Sequence, residues 1–184
     1  MTRESLIAEI QSGFVPDWTF FWGHTPAGEG SVAKACFSQW WDGHPFEIEG
    51  VRYATAEHFM MAEKARLFGD EPTRSDILAA KGPAEAKKLG RKVSDFDDRT
   101  WHRHRRDIVV RGNLAKFGQH ETLRTFLLDT GGSILVEASP YDNVWGIGLD
   151  AADPDAGRPE NWKGLNLLGF ALMQVRQRLR QNAS

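Results

Sequence analysis

The stretch TAEHFMMAEKARLFG, residues 55–69, predicts the helix around which this chain folds. Thr55 is a good N-cap and Gly69 a common stop, so both ends of the helix are marked. At about 100° per residue, Glu57 and Lys64 share one stripe, and apolar side chains occupy both that stripe and the opposite face. Charges on a helix buried from two sides are costly without partners, so this stripe is a candidate pocket wall. The alternative is two solvated side chains, since the helix dipole alone favours a glutamate in the first turn.

The composition indicates one ordinary globular domain over residues 1–184. Hydrophobic residues make up 41% and charged residues 26%, close to average globular usage. The net charge of -2 argues against nucleic-acid binding through a general basic surface, although a local basic patch stays open. Cys36 is the single cysteine, which excludes an intramolecular disulfide and fits a reducing compartment. No apolar run approaches about 18 residues, so we predict a cytoplasmic protein without a membrane segment.

The remaining patterns predict an α+β fold that is predominantly helical, with a small antiparallel β element. FEIEGVRY, residues 46–53, predicts a hairpin in which Phe46 faces Tyr53. Two aromatic strands, TFFW at 19–22 and ACFSQWW at 35–41, are predicted on either side of the glycine-rich loop GHTPAGEG at 23–30. Helices are predicted over 3–12, within an N-terminal extension (1–18), and over 83–90, 98–117, 121–129 and 165–181.

The segment YDNVWGIG, residues 141–148, follows the apolar strand SILVEAS and breaks its pattern with two glycines. Glycine permits close backbone approach, and Asp142 and Asn143 are frequent turn residues with polar groups to aim. The segment is therefore either a shaped loop at a site or an Asx-type turn. A turn alone does not explain a tryptophan between an acid and Gly-x-Gly. An acidic surface loop is predicted after it, over residues 150–163.

The polar residues exclude several kinds of chemistry. His102 and His104, in the basic run WHRHRRD at 101–107, are two positions apart on a helix and cannot bind one metal as an i, i+4 pair could. No serine has a Gly-x-Ser-x-Gly setting, and Cys36 has no motif of its own. GIG lacks the third glycine of a dinucleotide fingerprint. We therefore predict no metal site and no cofactor, which leaves carboxylate chemistry.

Taken together, these pieces resemble the NADAR family, also called the YbiA-like proteins, from about Phe20 to Leu179. The matching pieces, in order, are CFSQWW, HPFEIEG, YATAEHFMMAEKA, AKKLGR, Trp101, AKFGQ, LLDTGGSILVEASPYDNVWGIG and GLNLLGFALMQVR. Their order and spacing carry the resemblance, above all an Ala-Glu-His turn followed later by Asp-x-x-Trp-Gly-x-Gly. The chain departs from the family pattern at Gln39, where Asn is common, and at Met61, where Gln is frequent.

The resemblance implies an enzyme that binds a nucleotide-like small molecule and cleaves an N-glycosidic bond, with no obligate protein partner. Two activities occur in the family: hydrolysis of early phosphorylated riboflavin-pathway intermediates, and removal of ADP-ribose from guanine in DNA. The matching motifs imply Glu57 and Asp142 as catalytic residues. The substrate-binding positions they imply are Phe37, Ser38, Lys64, Arg91, Trp101, Lys116, Glu137, Trp145, Gly146 and Asn166.

The chemistry of the bond suggests roles for the carboxylates. Cleavage builds positive charge on the ribose ring, and a carboxylate can stabilise this charge, activate water or protonate the leaving group. We expect Glu57 to act at the sugar and Asp142 to be its partner or to orient it, with Glu137 as a third candidate. Trp101 and Trp145 are expected to stack on the base or to seal the site.

The cationic residues are interpreted in two ways. Lys64, Arg91 and Lys116 are expected to hold phosphate, although each is also a candidate for a structural ion pair. Lys87, which lies beside Lys88, is interpreted as a surface lysine.

Two rival functions stay open at this stage. The first is a hydrolase that acts on ADP-ribosylated DNA, for which the basic run from Arg103 to Arg106 could contact the strand. The second is a non-catalytic module that binds ADP-ribose or a related nucleotide. Turnover of a small-molecule N-glycoside would favour the riboflavin-pathway hydrolase over both rivals.

Overall fold

The structure, a computed structural model, describes residues 1–24 and 32–182. Its elements confirm an α+β fold that is predominantly helical. The helices are α1 (Arg3–Gln11), α2 (Ala56–Leu67), α3 (Glu71–Leu78), α4 (Pro83–Gly90), α5 (Asp98–Gln119), α6 (Glu121–Asp129) and α7 (Leu167–Gln181). The strands are β1 (Trp18–Phe21), β2 (Phe46–Ile48), β3 (Val51–Tyr53) and β4 (Ile134–Glu137). Most of the predicted glycine-rich loop, residues 25–30, lies outside the described residues.

Helix α2 forms the centre of the molecule. It begins after Thr55, whose hydroxyl accepts a hydrogen bond from the backbone amide of His58, and it ends just before Gly69, which has a φ of 72°. Nine of its twelve residues are buried, because α3, α4 and α5 all pack against it. The prediction of a helix covered on two faces is therefore confirmed.

The strands form two separate pairs. β2 and β3 are the predicted antiparallel hairpin, and Phe46 pairs with Tyr53 as expected. β1 and β4 pair in parallel, with Trp18 opposite Ile134 and Phe21 opposite Glu137. Because the two strands run in the same direction, their carboxyl ends meet at one edge, where ligands commonly bind in sheets of this kind.

Two parts of the secondary structure differ from the prediction. The segment predicted as a strand at 35–41 forms a 3₁₀ helix over Lys34–Phe37 followed by a turn. Its carbonyl groups accept hydrogen bonds from the buried ammonium of Lys116 instead of from a neighbouring strand. Helix α3 was not predicted, because Ile77 is its single buried residue and its amphipathic pattern is weak.

A second, smaller core lies on the side of the β1–β4 pair that faces away from α2. Leu6 of α1 packs there with Val136, Trp162 and Phe170, so the predicted N-terminal extension contributes a fully buried side chain. The acidic stretch 150–163 is described throughout and contains a short 3₁₀ helix. It is joined to α1 through Arg3, whose guanidinium donates to the carbonyl groups of residues 159 and 160.

Candidate active site

A cavity of about 910 Å³ opens between α2, α4, the first half of α5 and the carboxyl ends of β1 and β4. Carboxylates, cationic side chains and tryptophans all line it. Eight of the residues predicted for the site line it: Ser38, Glu57, Lys64, Arg91, Trp101, Glu137, Asp142 and Trp145. The helix stripe and the glycine-containing loop that the sequence singled out therefore face the same space.

Glu57 lies in the first turn of α2, where its backbone amide donates to the Gln39 carbonyl oxygen at 2.9 Å. The residue is only 2% exposed, and its Oε1 atom is buried without a hydrogen-bond partner among the described residues. Burial raises the pKa of Glu57 to about 7, and the nearby charge of Asp142 adds to the rise, whereas Lys87 and a hydrogen bond from the Trp40 side chain oppose it. The carboxyl group can therefore give or take a proton near neutral pH.

Glu137 is the last residue of β4. It is partly buried and carries the second carboxyl group of the cavity that has a buried oxygen atom. Its backbone amide donates to Asn166 Oδ1 at 3.0 Å, while its Oε2 atom is buried without a partner among the described residues. Burial raises its pKa to about 8, and the charges of Asp142 and Glu57 act in the same direction against Lys87. Two carboxyl groups with perturbed pKa values in one cleft are the arrangement expected of acid and base groups.

Asp142 reaches the cavity from the loop that follows β4. Its Oδ1 atom accepts hydrogen bonds from the backbone amides of Val144 at 2.8 Å and Trp145 at 2.7 Å. The Asx-type turn considered for this segment is therefore present. The turn also serves the site, because it fixes the carboxylate where its charge is felt by both Glu57 and Glu137.

Four predicted substrate-binding residues do not line the cavity: Phe37, Lys116, Gly146 and Asn166. Phe37 is fully buried and packs edge-on against Phe21. At Gly146 an added Cβ would lie 2.8 Å from the carbonyl oxygen of Glu137, so glycine is needed for backbone contact. Phe37 and Gly146 therefore contribute to packing next to the cavity and do not line it.

Lys116 is a structural residue in this protein. Its side chain is buried, and Nζ donates to the carbonyl oxygens of Cys36 at 2.6 Å and Ser38 at 3.0 Å. Burial lowers its pKa to about 7. The geometry therefore gives no support to the predicted contact with phosphate. Lys116 instead fixes the turn that carries Gln39 and Trp40 over Glu57.

Asn166 is likewise a supporting residue. It has a φ of 53°, and its side-chain amide bridges β4, accepting from the Glu137 amide at 3.0 Å and donating to the Leu135 carbonyl oxygen at 2.9 Å. Its own backbone amide donates to the carbonyl oxygen of Gly146. One residue thus locks the strand that carries Glu137 to the loop that carries Asp142.

Comparison with known proteins explains why these pieces occur together. The sequence model described as the NADAR domain matches residues 20–180. This chain belongs to the NADAR family. The N-glycosidase R617 of Acanthamoeba polyphaga mimivirus is 41% identical over 169 residues, which cover 89% of this chain and 97% of that protein.

Further relatives agree with this assignment. The N-glycosidase Npun_R5314 of Nostoc punctiforme is 37% identical over 145 residues, covering 79% of this chain and 85% of that protein. Among solved structures, the NMR structure of the Escherichia coli protein YbiA superposes with a TM-score of 0.70 at 28% identity, covering 90% of this chain and 87% of the other. The fold and the NADAR assignment therefore rest on independent comparisons of sequence and structure.

The NADAR cavity is also lined by residues that were not predicted for the site from the sequence. Lys87, interpreted as a surface lysine, lines the cavity, with Nζ 5.6 Å from the ring centroid of Trp40. Trp40 and Arg105 line it as well. The signal for Lys87 was present in the sequence, because residues 87, 90 and 91 fall on one face of a helix and two of them are cationic.

The cationic wall of the cavity is built mainly by Lys64 and its neighbours. Lys64 Nζ donates to the Gly90 carbonyl oxygen at 2.8 Å and lies over two rings, 4.2 Å from the centroid of Phe96 and 5.8 Å from that of Trp101. Burial lowers its pKa. Arg91, by contrast, is exposed, so its guanidinium is the more available group for a ligand phosphate.

Across residues 1–24 and 32–182, no group of three or more His, Cys, Asp or Glu side chains could hold a metal ion. Within those ranges no helix has both the length and the apolar character needed to cross a membrane. Cys36 is buried, and burial raises the pKa of its thiol to about 12, so the thiol stays protonated near neutral pH.

Proposed function

We propose that this protein hydrolyses the bond between a nitrogen base and ribose phosphate in early phosphorylated intermediates of the riboflavin pathway. It is a glycosidase that acts on N-glycosyl compounds, as the names of its curated relatives indicate. The observation that carries the proposal is a pair of carboxyl groups, those of Glu57 and Glu137. Each has a buried oxygen atom without a partner among the described residues, and both line the cavity that Asp142 also lines.

This carboxyl cluster suits the reaction because the bond breaks with positive charge on the ribose ring. A carboxylate beside the anomeric carbon stabilises that charge or activates the attacking water. We assign this role to Glu57, which is buried and whose pKa lies near neutral pH. Asp142 is held by two backbone amides and acts as the fixed negative charge that orients the sugar.

The rest of the cavity fits the other two parts of such a substrate. Trp40, Trp101 and Trp145 supply planar surfaces for the base, and stacking of this kind contributes about 1–3 kcal/mol per base in nucleic-acid binding. Arg91 and Arg105 supply guanidinium groups for the phosphate. The small-molecule substrate is therefore expected to span the cavity from carboxyl groups to arginines.

The direct test offers the purified protein both substrate classes, the pyrimidine or pyrimidinedione intermediates and ADP-ribosylated DNA, and identifies the released sugar by mass spectrometry. Ribose 5-phosphate is the expected product. Tight binding of both substrates without any released sugar would contradict an enzyme function at this site.

A second candidate substrate is ADP-ribosylated guanine in DNA. One observation favours it: Trp22 and Tyr141 are exposed at the cavity, with ring centroids 6.1 Å apart, and could stack on additional bases beside Arg105. Release of ADP-ribose at a rate that falls steeply as salt increases would select this function. The salt dependence should be lost when Arg103, Arg105 and Arg106 are replaced.

A further inference from the structure

We propose that Glu137 is the general acid of the reaction and donates its proton to the nitrogen of the departing base. Glu57 then acts as the base that accepts a proton from the attacking water. The inference rests on the proposed N-glycosidase function and adds separate acid and base roles for the carboxyl groups of Glu137 and Glu57.

The position of Glu137 is fixed on both sides of its peptide unit. Its amide donates to Asn166 Oδ1 at 3.0 Å, and its carbonyl oxygen accepts from the Ile147 amide at 2.9 Å. The main chain is therefore immobilised, and only the side chain remains free to follow a substrate.

The carboxyl group itself has an unused hydrogen-bonding site. Glu137 lines the cavity, yet its Oε2 atom is buried and has no partner among the described residues. A buried polar atom without a partner is costly in a folded protein unless a ligand supplies the partner. A nitrogen atom of the substrate base is a partner of the required type.

The acidic groups that face Glu137 favour its protonated form. Glu57 faces it from α2, Asp142 from the loop after β4 and Lys87 from α4. Burial, helped by the two neighbouring acids, raises the pKa of Glu137 to about 8, so this carboxyl group holds a proton near neutral pH. Because Glu57 is assigned to the ribose ring, Glu137 is the remaining carboxyl group of the cavity that has a buried oxygen atom without a partner among the described residues, and it is therefore the group placed to act as the acid.

The step balances with these two groups and water. The bond between the anomeric carbon and the nitrogen breaks, its electron pair moves to the nitrogen, and the proton of Glu137 is transferred to that nitrogen. The water oxygen bonds to the anomeric carbon and gives one proton to Glu57. The products are ribose phosphate and the free base, and one proton exchanged through solvent restores both carboxyl groups.

The test compares Glu137→Gln with Glu57→Gln on two substrates that share a ribose 5-phosphate and a base. One substrate carries the natural base and the other a base activated by an electron-withdrawing substituent, which departs without needing a proton. Glu137→Gln should lower kcat by about 10²–10⁴-fold on the natural substrate and by far less on the activated one. Glu57→Gln, the matched control, should be impaired equally on both.

The pH profile gives an independent measurement on the unmodified protein. If Glu137 is the acid, kcat should decrease above about pH 8, where Glu137 loses its proton, and this limb should be absent in Glu137→Gln. Equal defects of Glu137→Gln on both substrates, or an unchanged basic limb, would overturn the assignment. Failure of the proposed function is distinguishable, because the unmodified protein would then release no ribose 5-phosphate from the natural substrate.

Discussion

Helix α2 buries two glutamates, Glu57 and Glu63, whose exposed fractions are 2% and 3%. Glu63 accepts hydrogen bonds from Arg66 at 2.9 and 2.8 Å and from Arg111 at 3.1 Å. Glu57 instead keeps an oxygen atom without a partner among the described residues and has a pKa raised to about 7. The two glutamates are therefore equally buried but have different roles. Arginines compensate the charge of Glu63, whereas Glu57 faces a cavity.

The hydrogen-bond partners of a buried acid decide what it can do. A carboxylate that is paired on both oxygen atoms stabilises the fold and has no capacity left for a ligand. A carboxyl group with an open oxygen avoids the cost of burial by holding a proton, which is the state in which it can take part in proton transfer. The number of hydrogen-bond partners, more than the degree of burial, distinguishes a structural carboxylate from one that can transfer a proton.

The largest effect is expected from replacing Glu57. Glu57→Gln keeps the shape of a protonated carboxyl group but cannot accept a proton, so kcat should fall by about 10²–10⁴-fold while the melting temperature changes little. Steady-state kinetics and thermal unfolding on the same preparation measure both quantities.

Its matched control is Glu63→Gln on the same helix. This variant loses charge pairing with Arg66 and Arg111 and should lower the free energy of unfolding by about 1–3 kcal/mol. The kcat of its folded fraction should stay near that of the parent. A Glu63 variant that loses activity as completely as Glu57→Gln would erase the distinction between the two glutamates.

An intermediate effect is expected when the same comparison is made between two tryptophans. Trp145 lines the cavity, whereas Trp162 is 2% exposed and its indole N–H donates to the Ala156 carbonyl oxygen at 2.8 Å. Trp145→Ala should raise KM by roughly 5- to 150-fold, which corresponds to loss of about 1–3 kcal/mol of stacking.

The control in this case is Trp162→Ala, which should leave the KM of the folded protein unchanged but cost about 3–5 kcal/mol of stability. Urea denaturation of both variants separates these outcomes. Because Trp145 also packs against the main core, a modest loss of stability accompanies its replacement. Unfolding of Trp145→Ala with no change in KM would assign this residue to the core alone.

The smallest effect concerns the dependence of stability on pH. Glu57 and Glu137 have pKa values raised from 4.5 to about 7 and about 8, so between those limits the folded state binds more protons than the unfolded state. Their contribution to stability is complete below about pH 4.5 and is lost as pH rises toward 8. The slope is about 1.4 kcal/mol per pH unit at most for each group.

Lys116 produces the opposite slope in the next window. Its pKa is lowered from 10.5 to about 7, so between these values the folded state binds fewer protons and stability increases with pH. Denaturation midpoints measured across pH should therefore flatten at low pH in the Glu57→Gln/Glu137→Gln double variant and at high pH in Lys116→Met. Unchanged profiles in these variants would show that the groups titrate normally in the folded protein.

Much of the fold could be predicted because its local signals are strong. Thr55 and Gly69 delimit α2, and the alternation in residues 46–53 specifies the hairpin register. The parallel pairing of β1 with β4 could not be predicted, since short apolar runs do not encode their partners. The error at 35–41 has a similar cause, because Lys116 lies far along the chain from the carbonyl groups it binds.

The site was predictable in part for the same reason. Helical spacing identified Glu57 and Lys64, and the glycines marked the loop of Asp142 and Trp145. The sequence gives residue types but not directions, so it could not tell that Lys116 points into the core while Lys87 points into the cavity. Burial and hydrogen-bond partners supply that information.

The parallel pairing of β1 with β4 determines how late in folding the site is completed. β1 lies near the start of the chain and the five helices α2–α6 separate it from β4, so the strand that carries Glu137 pairs only when two distant segments meet. Closing so long a loop is slower than forming local helical contacts. The ribosome therefore releases Glu57 long before Glu137, and the pair of carboxyl groups is complete only after β4 has been made and has paired with β1.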